Sequence, residues 1–271
     1  MFFSAYTLGK DYVFPFGEKL NPVVQTDTTP KKIFVLGVYA SAVHAKWLDG
    51  QGKVKVKALI IASEPYIFWR GDTADTQKII SKINFPSCLG RLVPADSTFN
   101  GPSGIALDNL FLFPLGYKRN DAWLCDLLPH TCINPSQKIA INREYEPIRK
   151  ENNLPEVTIP TTPDTFADEK RVAEILEELK KSKAEKIILL GDMPIKFFLS
   201  KVTKSNKKKL SDFGTTKETY GKEHTMEIAG KNYQVIPLVH PRQADSLGKS
   251  SALWNDLHKV WMINQIQIKR K

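Results

Sequence analysis

The chain has 271 residues, with 39 lysines and arginines against 29 aspartates and glutamates, giving a formal charge of +10 that favours an anionic partner such as nucleic acid. That length suffices for a large α/β domain burying about three quarters of its unfolded surface, and no run approaches the ~18 apolar residues of a membrane span. The N-terminus lacks the basic start and apolar core of a secretory signal, and three cysteines (Cys88, Cys125, Cys132) without a C-x-x-C pair argue against a zinc ribbon and for a reduced, cytoplasmic setting.

Residues 1–30 carry little regular pattern; Phe14-Pro15-Phe16-Gly17 and Thr28-Thr29-Pro30 predict an extended N-terminal segment with turns. The apolar run Ile33-Phe34-Val35-Leu36, closed by Gly37, predicts a strand, with a helix over residues 40–48. Residues 53–62 alternate at first, like a half-exposed edge, and predict a second strand ending in Ser63-Glu64-Pro65, followed by a helix over 73–83. Several prolines and glycines over 84–121 predict a long functional loop with a short helix at 105–110. Ala122-Trp123-Leu124-Cys125-Asp126-Leu127-Leu128 predicts a third strand, and a Pro- and Asn-rich connection runs through Pro163.

Thr165-x-x-Asp168 resembles a capping box, and behind it Val172, Ile175, Leu176 and Leu179 recur at i, i+3, i+4 and i+7. Ile187-Ile188-Leu189-Leu190 predicts a strand ended by Gly191, with a helix over 193–202 and five lysines in residues 201–209. The branched apolar run from Gln234 to Val239 predicts a buried strand ending in His240-Pro241. In parallel sheets ligands sit beyond the carboxyl ends of strands, so His240 is placed at a mouth, aimed by the stiff backbone of Pro241. A polar loop over 243–251 leads into a helix from Ala252 whose Leu253, Leu257, Val260 and Trp261 are expected to be buried. The alternation of strand and helix predicts an α/β fold, a three-layer α/β/α sandwich with a short, mostly parallel central sheet.

The order of Gly37-Val38-Tyr39-Ala40-Ser41, Trp123-Leu124-Cys125-Asp126, Ile187 to Gly191 and Leu238-Val239-His240-Pro241 resembles the uracil-DNA glycosylase superfamily, as spacing more than identity. The resemblance implies a glycosylase-like domain over 31–264, with the extended segment 1–30 before it and a basic tail over 265–271. It implies a monomeric protein that acts on single- or double-stranded DNA in repair, with no cofactor and no metal, hydrolysing the N-glycosidic bond of a deaminated or damaged base extruded from the stack. Gly101-Pro102-Ser103-Gly104 ahead of Pro114-Leu115-Gly116 is similar to the long pocket loop of some branches. Two other functions fit the same scaffold: a non-catalytic nucleic-acid binder, and a hydrolase of free nucleosides or nucleotides.

On this resemblance His240 would hydrogen-bond the departing base as charge develops on it. Asp126 stands where the family's base-reading asparagine is found. Two roles are open to it: a protonated acid that reads the base, or an ionised carboxylate turned toward the sugar. The second is the expectation, because Tyr39 replaces the water-orienting residue of the first motif and Ala40 its proline. Asp245 and Glu64 are lesser carboxylate candidates. Gly37, Tyr39, Ser41, Phe99, Ser103, Pro241 and Arg242 are expected to line the substrate, with Tyr39 or Phe99 beneath the base. Arg242 stands where the family has serine. Ser103, and Ser246 to Ser251 with Lys249, are candidates for flanking phosphates.

Overall fold

A computed structural model of the protein describes residues 11–245 and 252–269. Its strands are β1 (Ile33–Tyr39), β2 (Ala42–Leu48), β3 (Val54–Ser63), β4 (Arg91–Pro94), β5 (Ala122–Leu128), β6 (Lys186–Leu190), β7 (His224–Ile228) and β8 (Lys231–Leu238). Its α-helices are α1 (Thr73–Ile80), α2 (Pro102–Ala106), α3 (Pro135–Ala140), α4 (Glu146–Arg149), α5 (Glu169–Ser182), α6 (Asp192–Pro194), α7 (Ser200–Val202), α8 (Pro241–Ala244) and α9 (Ala252–Lys269). The chain divides into two compact units. One holds Val24–Val38, Ser103–Leu128 and the residues from Asp164 onward; the other holds residues up to Val23, Tyr39–Pro102 and Pro129–Pro163.

The first unit is an α/β structure around a mostly parallel sheet of order β5-β1-β6-β8-β7. β1 pairs parallel with β6 (Ile33↔Lys186 to Leu36↔Leu189), and β6 pairs parallel with β8 (Lys186↔Gln234 to Leu190↔Leu238). Continuous apolar runs form these strands because helices cover the sheet: Ile33 to Leu36 and Ile187 to Leu190 are all fully buried. β7 closes one edge antiparallel to β8, from His224↔Val235 to Ile228↔Lys231.

Helix α5 lies against β5, held by an internal ion network. The buried Arg171 guanidinium donates to the carbonyls of Leu127 (3.1 Å) and Asp126 (2.7 Å), and it pairs with Glu174 (3.2 Å) and Glu178 (3.1 Å). The cap of α5 differs from expectation. Its N-cap is Asp168, whose carboxylate accepts the Arg171 N–H at 2.8 Å, so the predicted box at Thr165 falls outside the helix. The helical face read from the sequence holds, with Val172, Ile175 and Leu179 buried. On α9, Leu257 and Trp261 are buried as expected, whereas Leu253 is 55% exposed. α9 also continues to Lys269, so most of the predicted basic tail is helical.

The second unit is built on an antiparallel sheet of order β3-β2-β4. Here the sequence expectation fails, because residues 42–48 form β2 and not a helix. Ala42, Val43, Ala45 and Trp47 are buried, and β2 is the central strand, paired with β3 on one side and β4 on the other. Backbone bonds on both sides override the helical preference of its two alanines. The core below is aromatic. Phe16 meets Trp47 edge-on at 5.8 Å and Tyr145 edge-on at 5.1 Å, and Phe85 packs against both Phe16 and Trp47. The N-terminal segment is therefore anchored through Phe16, although its regular structure from residue 11 onward is only a 3-10 turn and one β-bridge.

Candidate functional site

In the parallel sheet the chain runs from β1 to β5 on one side, then crosses to β6 on the other. The strand order therefore reverses between β1 and β6, where open α/β sheets leave a crevice beyond their carboxyl ends. Gly37 follows the last β1–β6 pair, and Gly191 follows β6 directly. The Gly191 N–H donates to the Leu238 carbonyl at 2.7 Å, extending the ladder by one bond. Gly191 has φ +87° and ψ −169°, a region essentially reserved for glycine, and a Cβ there would stand 3.3 Å from the Cβ of His240. Glycine thus lets the end of β6 pass beside His240.

His240 is the N-cap of α8, with Pro241 in the first helical position. Its Nδ1 accepts the Arg242 N–H at 3.2 Å, which places the ring proton on Nε2. Burial, reinforced by the Arg242 charge, lowers its pKa to about 4, so the ring is neutral near pH 7. Among the described residues nothing accepts from Nε2–H. The imidazole is consequently a neutral donor of fixed tautomer just past the carboxyl end of β8.

Asp126 is 3% exposed in β5. Its neighbours Trp123 and Cys125 reach toward α5, the indole N–H donating to Glu178 at 3.1 Å and the thiol lying 3.4 Å from Arg171 Nη2. Strand alternation sends Asp126 to the opposite face. There its carboxyl has no hydrogen-bond partner among the described residues. Burial raises its pKa to about 7, with Arg171 opposing the rise and Glu178 adding to it. Near pH 7 the acid and the carboxylate are then comparably populated, so both roles read from the sequence stay open to Asp126. β1 and β6 separate β5 from β8, about 14 Å between strand axes. At that spacing the Asp126 and His240 side chains are not in contact with one another.

The remaining candidates divide between the units. Gly37, Ser103, Asp126, His240, Pro241 and Arg242 belong to the parallel-sheet unit, and Tyr39, Ser41 and Phe99 to the antiparallel one. Pro241 is buried and Arg242 exposed, Ser103 lies half-buried in α2, and Phe99 is 39% exposed. Glu64 is a loop clamp: its two oxygens accept the N–H groups of Ser41 (3.1 Å) and Trp69 (3.2 Å). Asp245 is exposed at the end of α8. Ser246 to Ser251, with Lys249, lie outside the described residues. In the lysine run, Lys201 donates to the Ala167 carbonyl at 2.6 Å, and Lys207 donates to the Asp212 carbonyl and lies over the Phe213 ring. Lys204, Lys208 and Lys209 are exposed.

Three features of this region carry little signal in the sequence: the close pass at Gly191, the buried Arg171, and a pair formed by Tyr220 and His258 behind His240. The lone histidine on the apolar face of α9, beside Leu257 and Trp261, is the one trace of the pair. Among the described residues no group of three or more His, Cys, Asp or Glu side chains is arranged to hold a metal ion, and no helix is long and apolar enough to cross a membrane. Comparison of the sequence with protein-family models and with curated proteins gives no match.

Proposed function

We propose that the protein is a glycosylase of the uracil-DNA glycosylase type, a three-layer α/β/α domain that hydrolyses the N-glycosidic bond of a deaminated or damaged base extruded from DNA. The observation that carries this reading is His240, a neutral imidazole with a fixed Nε2–H donor beside Gly191 at the strand ends. As the bond from the sugar C1′ to the base nitrogen breaks, its electron pair goes to the base and negative charge grows on the base carbonyl oxygen. A neutral donor aimed at that oxygen binds the transition state more tightly than the substrate. Water supplies the hydroxyl that ends on C1′, and its proton leaves with the base.

Asp126 as a neutral acid offers one donor and one acceptor, the pattern an asparagine would present to the edge of uracil or a deaminated purine. The net charge of +10 and the exposed Lys204, Lys208 and Lys209 support DNA as the substrate class over a free nucleotide. Tyr39, in place of a water-orienting residue, favours one rival reading, a binder of extruded bases without activity.

The test is release of base from oligonucleotides carrying uracil, hypoxanthine or xanthine, with His240→Ala as control. Release from one of them, reduced by about 100-fold or more in the variant, supports the reading. Salt-sensitive binding with no release supports the binder, and salt-insensitive binding points to a small-molecule substrate.

A further inference from the structure

We propose that Tyr220, His258 and Asn255 are positioning residues that fix His240 from behind, so that α9 sets the aim of the imidazole; this rests on the role given to His240 above. The need arises at the end of β8. β7 pairs with β8 only as far as His224↔Val235, which leaves the outer edge of residues 236–239 without a partner strand among the described residues. Extending that register by four residues would set Tyr220 opposite Val239, but the chain turns away at Gly221 (φ +67°). The phenol hydroxyl takes over the missing role, accepting the Val239 N–H at 3.1 Å.

The hydroxyl proton has one direction available. His258 Nε2 lies 2.9 Å from the Leu110 carbonyl, which only accepts, so Nε2 carries the proton and Nδ1 is a lone pair. Tyr220 therefore donates to His258 Nδ1, at 2.7 Å. The chain runs in one sense, from Val239 N–H to the Tyr220 oxygen, from Tyr220 O–H to His258 Nδ1, and from His258 Nε2–H to Leu110. Each member polarises the next. The His258 ring cannot swing, being packed between Phe111 (centroids 4.4 Å apart) and Trp261 (5.0 Å). The turn itself is pinned by α9, because the Trp261 indole N–H donates to the Gly221 carbonyl at 3.1 Å.

The other flank of His240 is held by the same helix. The buried Asn255 side chain donates to the Ala244 carbonyl at the end of α8. Asn255 and His258 are three residues apart, on one face of α9. With Gly191 bonded to Leu238 on the β6 side, the backbone on both sides of His240 is fixed from three directions. An imidazole that must meet a developing charge needs this, since misplacement by about 1 Å can lower a rate by about 100-fold.

The experiment compares the full chain with Tyr220→Phe and, separately, His258→Phe, each carrying 15N-labelled histidine. Tyr220→Phe removes one oxygen and keeps the ring, so it tests the bond with the least risk to folding. The expected result is a change in the His240 ring-nitrogen shifts, reporting a mixed or altered tautomer, together with a kcat lower by about tenfold and a KM within about twofold. Both variants should act alike, and the double variant should add little. A folded Tyr220→Phe protein with unchanged His240 shifts and unchanged kcat overturns the proposal. If the wild type releases no base from any substrate, the glycosylase reading fails, yet the nitrogen shifts still decide whether Tyr220 and His258 govern His240.

Discussion

The two units differ in where their unpaired polar side chains lie. In the antiparallel unit nearly every buried polar group is tied into local backbone. Glu64 accepts from two main-chain amides, Asn100 exchanges two bonds with the His44 main chain (2.8 and 2.9 Å), and the Thr131 hydroxyl donates to the Ser41 carbonyl at 2.5 Å. His44 Nδ1 is the exception. In the parallel unit the Arg171 network is equally complete, but the Asp126 carboxyl on β5, His224 Nε2 on β7 and the His240 Nε2–H just past the end of β8 have no partner among the described residues. A group bonded on every side holds a loop, whereas one left unpaired beside the strand ends is a candidate for meeting a ligand.

Substituting one group of each kind gives the largest expected effects. On the proposed glycosylase function, His240→Ala should lower base release by about 100-fold or more with little change in melting temperature. Glu64→Ala should do the reverse, removing about 2–4 kcal/mol of stability as two main-chain N–H groups lose their acceptor, with activity per folded molecule retained. Activity and thermal melting of the two variants, measured side by side, would break the comparison if the losses were exchanged.

Asp126 sharpens it through pH. Its folded pKa, about 7, lies above the ordinary 3.8, so folding favours the protonated acid. The stabilisation is complete below about pH 4 and is lost as pH rises through 7. Asp126→Asn should therefore be more stable than wild type at pH 8, on the order of a few kcal/mol, with the advantage gone near pH 4. Urea unfolding at the two pH values measures this, and a constant difference would place Asp126 in a solvated setting. If the protonated acid reads the base in the proposed reaction, base release should fall above about pH 7 as it ionises. His240 should leave the rate flat down to about pH 4, because it is already neutral above that.

The smallest effect concerns the close pass. Gly191→Ala should cost about 1–3 kcal/mol, because alanine tolerates that backbone poorly and its Cβ crowds His240. An alanine variant as stable as wild type, by urea unfolding, would show that the end of β6 is free to relax.

The same contrast governs what can be read from the sequence. β1, β6 and β8 are legible because a buried parallel strand is a continuous apolar run, and His240 because a His-Pro pair ends one of them. β2 is not legible. Its two alanines suit a helix, and what makes it a strand is pairing with β3 and with β4, which begins at Arg91. Leu253 satisfies the helical spacing and still faces solvent. The state of Asp126 depends on burial, which no local pattern encodes. The bond between Tyr220 and His258 spans 38 positions and leaves no periodicity behind.

The register of β1 also constrains the order of events as the chain is made. Its partner Lys186 lies 153 positions after Ile33 (186 − 33), and β5 is the better part of a hundred residues downstream. β2 and β3, by contrast, are separated by a five-residue connection, 49–53, and can pair as soon as both have emerged. Loop closure at long range is slow, so β1 is made before its sheet partners and paired late. Between those moments Ile33-Phe34-Val35-Leu36 is an apolar run without its sheet partner, the kind of segment that is open to mispairing or capture by a chaperone.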